Sequence, residues 1–219
     1  MYDYIMFHKP GGCITARRDE RHKTIMDYLP EEIRDTHFPV GRLDKDTEGL
    51  LLITNDGRLT RKLLMPEHKV EKTYYFMAEG VLNDERLDEV RKGARIYYNR
   101  ENPTAPSEVE IISTGTLGDV TTPLSEDDKM LKLKKPYLPT VEGIVKITEG
   151  KKHQVKRMVR YAGARVIYLK RLTMATLALD ETLEKGSHRP LTPEELSALF
   201  TSIGYIPRPK VSKQGERCF

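Results

Sequence analysis

The sequence has no tryptophan and only two cysteines, Cys13 and Cys218, among its 219 residues. Two cysteines near opposite ends cannot supply a disulfide framework or a four-cysteine metal site. We therefore expect a fold stabilised without disulfides or a structural metal, in a reducing compartment. Long apolar runs are also missing, because no stretch approaches the roughly 20 residues of a membrane span, and the N-terminus lacks a signal-peptide pattern. These absences predict a soluble, cytoplasmic protein with one domain or two closely joined halves.

Acidic residues are missing from one segment, 151–171, which holds eight Lys or Arg, although the whole chain has 37 Lys and Arg against 33 Asp and Glu. Within it, Val155, Met158, Val159 and Ala162 recur at helical spacing and predict a helix with one buried apolar stripe. A solvated helical face usually alternates the sign of its charges, whereas an unrelieved positive surface repels itself unless an anion binds. The segment therefore favours a phosphate-bearing ligand.

Short apolar runs and capping signals indicate the other elements of the chain. They predict strands at 4–7, 50–54, 72–77, 107–112 and 141–148, a helix from the cap Asn83 to Gly93, and a final helix from the capping box Thr192–Glu195 to Gly204. Residues 113–139 mix Pro, Gly and charge without a period, so we expect a long excursion or loop there. The basic residues 206–219 are expected to form a flexible tail.

Five charged residues stand just before the apolar run 50–54: Arg42, Asp44, Lys45, Asp46 and Glu48. Their spacing is similar to a calcium-binding loop, but Asn55 stands where that loop needs a bidentate glutamate, which excludes the calcium site. In an extended segment, Arg42 and Asp44 share one face while Leu43 points to the core. Such an arrangement presents a partly buried carboxylate beside a cation, and this carboxylate stays ionised and can act as a nucleophile.

Four motifs, in this order, resemble the signature of pseudouridine synthases, in the branch that modifies ribosomal RNA. They are HKPG at 8–11, GRLD at 41–44 with TNDG at 54–57, KTY at 72–74, and EGKKHQVKRM at 149–158. The resemblance covers about residues 4–192. Lys156 at the basic position of the last motif, together with the segment 93–96 and the region around Pro106, is most similar to the RsuA subgroup, which acts on the small ribosomal subunit.

The resemblance implies an α+β pseudouridine synthase fold. Its central mixed, largely antiparallel sheet is flanked by helices and forms two subdomains with the active-site cleft between them. Residues 1–205 would form this catalytic domain. Members of the branch commonly carry a small S4-type RNA-binding domain ahead of it, whereas this sequence begins at the first catalytic strand. We therefore expect a chain without that domain, either by nature or as a fragment.

The resemblance also implies the chemistry, which is the isomerisation of a flipped-out uridine to pseudouridine without cofactor or metal. Asp44 would be the nucleophile, and Tyr74 would pack against the target base and accept a proton. Lys156 would be the cation that pairs with Asp44, and Arg42 would fill the space left by the extruded base or contact its phosphate. By themselves, Tyr74 is typical of a core aromatic residue and Lys156 of a surface lysine.

The implied partner is ribosomal RNA or a pre-ribosomal subunit, with no membrane, and we expect a monomer. The residues expected to bind RNA are Lys9, Lys72, Lys151, Lys152, His153, Gln154, Arg157, Arg160 and Arg171. Two alternatives stay open at this point. One is a non-catalytic RNA-binding or ribosome-assembly protein on the same fold, and the other is a synthase for large-subunit rRNA.

Overall fold

We describe the fold from a computed structural model, which gives residues 2–97 and 102–207. The predicted tail therefore lies outside the described residues from 208 onward. The chain forms two compact units, in agreement with the two subdomains expected for the fold. Unit 1 combines the residues up to Val70 with those from Thr173 onward, and unit 2 comprises Glu71–Leu172.

The described residues contain nine strands and six α-helices. The strands are β1 (Tyr4–Lys9), β2 (Phe38–Pro39), β3 (Glu48–Thr54), β4 (Lys72–Gly80), β5 (Glu108–Thr116), β6 (Pro139–Ile147), β7 (Ala164–Met174), β8 (Leu177–Ala178) and β9 (His188–Pro190). The helices are α1 (Glu31–Thr36), α2 (Gly57–Leu64), α3 (Asp84–Lys92), α4 (Glu126–Lys134), α5 (Gln154–Tyr161) and α6 (Pro193–Ile203). This content confirms the predicted α+β class. No α-helix within the described ranges has both the length and the apolar character that crossing a membrane requires.

In unit 1, β1 lies between β3 and β9 and pairs with both in antiparallel register. All seven residues of β3 are buried, as the apolar run predicted. Leu50 and Leu52 of this strand join a core cluster with Leu59 and Leu63 of α2 and with Leu199 of α6. The capping box of α6 is confirmed, because the Thr192 side chain accepts from the Glu195 amide and Gly204 ends the helix in the left-handed conformation.

In unit 2 the strand order is β5-β6-β4-β7. Strand β6 pairs antiparallel with β4 on one side and with β5 on the other. The first predicted helix is confirmed as α3, since the Asn83 side chain accepts from the Arg86 amide and Gly93 follows the last turn. Helix α5 buries the predicted stripe of Val155, Met158, Val159 and Ala162.

Residues 113–139, for which a long excursion or loop was predicted, contain regular secondary structure. Strand β5 continues to Thr116, and α4 begins after Ser125, whose side chain accepts from the Asp128 amide. Arg165 holds this helix from β7, with Nη2 at 2.7 Å from the Asp128 carboxylate. Helix α4 lacks a clear apolar stripe, since Leu133 is 76% exposed, although Leu131 packs against the cluster of Met77, Leu117 and Val120. The Ser125 cap and this ion pair add to the stability of the helix.

Candidate active site

The segment 41–47 of unit 1 carries the predicted nucleophile between a glycine turn and strand β3. Gly41 has φ +77°, which favours glycine, and a Cβ there would approach Cδ2 of Leu64 to 2.9 Å. Leu43 is buried, Asp44 is half-buried and Arg42 is exposed. This alternation is the one predicted from the sequence, with the leucine anchoring the segment and the charged neighbours on the other side.

Residues 8–15, which begin with the HKPG motif, form hydrogen bonds to the backbone of the segment 41–47, the Asp44 loop. The Thr15 hydroxyl donates to the Leu43 carbonyl at 2.8 Å and accepts from the Leu43 amide at 3.1 Å. The Gly12 amide donates to the Lys45 carbonyl at 2.8 Å. Because hydrogen bonds fix the backbone on both sides of Asp44, the position of its carboxylate is restricted before any substrate binds. Thr15 was not identified from the sequence, since a lone threonine carries no recognisable signal.

Lys9 also holds this loop, which corrects its predicted role in RNA binding. The side chain is fully buried. Its ammonium donates to the carbonyls of Pro10 at 3.0 Å, Lys45 at 3.4 Å and Thr47 at 2.9 Å. A buried ammonium with three acceptors is a structural cation, and it does not reach a nucleic acid.

The charge of Lys9 also acts on the acidic residues of the cluster. Burial lowers the pKa of Lys9, and the nearby carboxylates of Asp46, Glu48 and Asp44 oppose that shift. Glu48 is likewise internal, and its carboxylate lies 2.7 Å from Nζ of Lys185. The cluster that precedes β3 is therefore partly an internal ion network.

Replacing Lys9 by Met is expected to loosen the loop that carries Asp44. Three carbonyls lose a charged donor, so we expect the free energy of unfolding to fall by about 1–3 kcal/mol. Urea denaturation measures this. Lys45→Met removes the same charge from an exposed neighbour and is expected to have little effect. Equal stability of the two variants would contradict the structural role of Lys9.

Unit 2 supplies the KTY motif on β4. Tyr74 is buried, and its backbone pairs with Val145 of β6. Lys72 and Arg171, both predicted to bind RNA, are buried as well. Burial, and then the charge of Arg171, lower the pKa of Lys72 to about 8. The two cations lie close enough to influence each other, and their role in RNA binding stays a prediction.

The lowered pKa of Lys72 predicts a specific pH dependence of stability. Between about pH 8 and 10 the unfolded chain binds more protons at this lysine than the folded chain does. The penalty for burying the charge is complete below pH 8 and is relieved as the pH rises. Relative to Lys72→Met, the parent is therefore expected to gain up to about 2–3 kcal/mol over this range. Urea denaturation at several pH values measures the difference.

The control for this experiment is Lys92→Met, which removes an exposed lysine of the same unit. The difference in the free energy of unfolding between the parent and Lys92→Met should not vary over this pH range. If the difference in the free energy of unfolding between the parent and Lys72→Met is equally constant, Lys72 keeps an ordinary pKa in the folded protein.

The loop that leads into α5 is fixed by internal hydrogen bonds of two residues that were predicted to bind RNA. Gln154 is buried, donates to the Glu149 carboxylate at 2.7 Å and accepts from the Lys151 amide at 2.9 Å. Lys151 donates from Nζ to the Pro103 carbonyl at 2.9 Å. Both side chains thus shape the loop.

The remaining basic residues of the motif, and Arg160 just after it, lie on α5 or directly before it. Lys152, His153 and Arg160 are exposed, whereas Lys156 and Arg157 are half-buried. His153 has φ +54°, a left-handed conformation that costs a non-glycine residue about 1–3 kcal/mol. Such strain is typical of functional loops. This surface can meet an anionic ligand.

These features define a class of RNA-modifying enzyme, and comparison with known proteins identifies it. Residues 3–161 match the family model described as RNA pseudouridylate synthase, and the chain belongs to this family. It is an RNA pseudouridine synthase with the family's α+β fold.

Relatives and a solved structure agree with this assignment. The chain is 40% identical over 197 residues to an uncharacterized RNA pseudouridine synthase of Bacillus subtilis, YtzG, covering 90% of this chain and 72% of the relative. It is 36% identical to ribosomal small subunit pseudouridine synthase A of Vibrio cholerae, covering 90% and 74%. A crystal structure of a pseudouridylate synthase superposes with a TM-score of 0.73 at 29% identity, covering 91% of this chain and 74% of that one.

Proposed function

We propose that this enzyme converts uridine to pseudouridine in small-subunit ribosomal RNA, with Asp44 as the nucleophile acting on a flipped-out uridine. The observation that carries the proposal is the Asp44 loop, whose backbone is held on both sides by Thr15, Gly12 and Lys9. A family that needs one fixed carboxylate has it here at the position of its motif. The small subunit is favoured because relatives such as the Vibrio cholerae protein are named for it.

The reaction is an isomerisation with no change in redox state. The bond between N1 of uracil and C1′ of ribose breaks, the base turns, and a new bond forms between C5 and C1′. The proton on C5 leaves and N1 gains one, so atoms balance without a second substrate. The protein must supply one ionised carboxylate, a group that accepts the C5 proton, and shelter for the detached base.

Each proposed role agrees with the local environment of its residue. Asp44 is half-buried, which permits both contact with a nucleotide and partial exclusion of water. Arg42 is exposed and can reach the RNA strand from which the uridine has left. Tyr74 is a buried ring that can pack against the base. Lys156 is the cation of the catalytic set, while Lys152, His153 and Arg160 contact phosphates and Arg157 contacts the RNA beside them.

Tritium release tests this function directly. Small-subunit and large-subunit rRNA transcripts, and the corresponding partly assembled particles, are prepared with [5-³H]uridine and treated with the protein. We expect label to enter water only with the small-subunit substrates, because only the C5 proton of the modified uridine is lost. Release only from large-subunit RNA would overturn the choice of substrate. No release from any substrate would favour an RNA-binding protein without activity.

A further inference from the structure

A cavity of about 730 Å³ lies within unit 2, bordered by residues 95–97, by α5 and by the start of β7. We call it the α5 cavity. Among the described residues that line it are five Lys or Arg and no Asp or Glu: Arg95, Lys156, Arg157, Arg160 and Arg165. A concave wall whose charged side chains are all cationic favours an anionic ligand.

The cations of the α5 cavity differ in how far they are already neutralised. Arg165 forms ion pairs with Glu79 at 2.8 Å and Asp128 at 2.7 Å, so it belongs to the scaffold. Arg95 and Arg160 are exposed, and neither forms an ion pair with a carboxylate among residues 2–97 and 102–207. These two guanidinium groups are therefore available for a phosphate, which arginine binds in a bidentate manner.

An aromatic side chain completes the lining. The Tyr97 ring lies under the guanidinium of Arg157, with 4.8 Å from Cζ to the ring centroid. The Tyr97 hydroxyl donates to the Lys152 carbonyl at 2.9 Å, which ties the ring to the loop ahead of α5. A held tyrosine and an arginine plane are the surfaces on which nucleobases stack in RNA-binding proteins.

We propose that the α5 cavity binds one nucleotide of the RNA substrate other than the uridine that is isomerised. Arg95 and Arg160 hold its phosphate, and its base stacks on the Tyr97–Arg157 pair. The proposal rests on the proposed function for the identity of the RNA. It concerns a second nucleotide because the target base is assigned to Tyr74, which is not among the lining residues, and the proposed catalytic set shares only Lys156 with this lining.

The chemistry of the lining also predicts how selective this site is. Stacking on a ring tolerates every base, whereas discrimination needs donors and acceptors aimed at base edges. The described lining offers cations and rings but no carboxylate or side-chain amide. The α5 cavity therefore positions the RNA strand without reading its sequence at that nucleotide.

Equilibrium binding tests the proposal. The protein carries Asp44→Asn, so no turnover occurs, and the probe is a fluorescein-labelled, mixed-sequence single-stranded RNA of about ten nucleotides. We expect Tyr97→Leu to weaken binding about five- to 100-fold without changing its salt dependence, because stacking is lost and no charge is removed. Tyr97→Phe keeps the ring and loses the same hydroxyl bond, so it should bind like the parent.

The arginines should give the opposite signature. Arg95→Gln and Arg160→Gln are each expected to lower the slope of log K against log salt by about 0.7, the value for one phosphate contact on a single strand. Lys92→Gln removes an exposed lysine of α3 that does not line the cavity, and it should leave the slope unchanged. Thermal melting of each variant confirms that it is folded.

Three results would overturn the proposal. The first is unchanged binding by Tyr97→Leu and both arginine variants, and the second is equal loss in Tyr97→Leu and Tyr97→Phe. The third is displacement of the RNA by equimolar uridine 5′-monophosphate, which would indicate a site for a free nucleotide. A parent protein that binds RNA with these signatures but releases no tritium would instead refute the proposed activity and leave the α5 cavity as an RNA site.

Discussion

Asp44→Asn is expected to reduce tritium release from small-subunit rRNA to less than about one-thousandth of the parent rate. The amide cannot form the covalent or electrostatic contact that an ionised carboxylate provides to the sugar or base. The side chain keeps its size, and Leu43 and the Thr15 hydrogen bonds that hold the loop are untouched. RNA affinity should therefore change little, so a loss confined to the chemical step identifies the nucleophile.

The matched control for this variant is Asp46→Asn, which removes the same charge from an exposed residue two positions further on. We expect it to retain most of the activity. The assignment of Asp44 would be wrong if its variant stayed active, or if both variants lost activity to the same degree.

Asp56→Ala is expected to cost about 3–5 kcal/mol in the free energy of unfolding. The Asp56 carboxylate is fully buried and caps α2, accepting from the amides of Arg58 at 3.1 Å and Leu59 at 3.2 Å. It also accepts from the hydroxyls of Tyr4 at 2.9 Å and Tyr205 at 2.6 Å. Burial and the hydrogen bond to Asp56 raise the pKa of both tyrosines. Alanine leaves two hydroxyls and two amides without their acceptor.

Urea denaturation of Asp56→Ala beside Glu67→Ala, which removes an exposed acid near the end of α2, measures this cost. Asp56→Asn retains one acceptor oxygen and should fall between parent and alanine. A loss below about 1 kcal/mol for alanine would show that other groups satisfy the tyrosines and the helix terminus.

Local patterns predicted those parts of the fold whose stability is itself local. The apolar run of β3, the caps Asn83 and Thr192 and the stripe of α5 all occur where the sequence placed them. Helix α4 was missed because Ser125 and Arg165 stabilise it through polar contacts, one of which reaches a distant strand. Such contacts leave no periodicity in the sequence.

For the candidate site, the motifs located the segments but did not assign the direction of each side chain. Lys9 and Gln154 belong to recognisable motifs, yet both turn inward and bind the backbone or Glu149. Burial of a polar side chain depends on partners far away in sequence, so it is not predictable from residue type. Tyr97 was not predicted as a site residue, because its partner Arg157 lies 60 residues away in the sequence.

The most direct test of the central claim is a map of pseudouridine in small-subunit rRNA from cells that express the parent chain, Asp44→Asn, or neither. We expect one modified uridine that is present with the parent chain and absent in the other two. An identical map in all three, or a site that persists with Asp44→Asn, would contradict it.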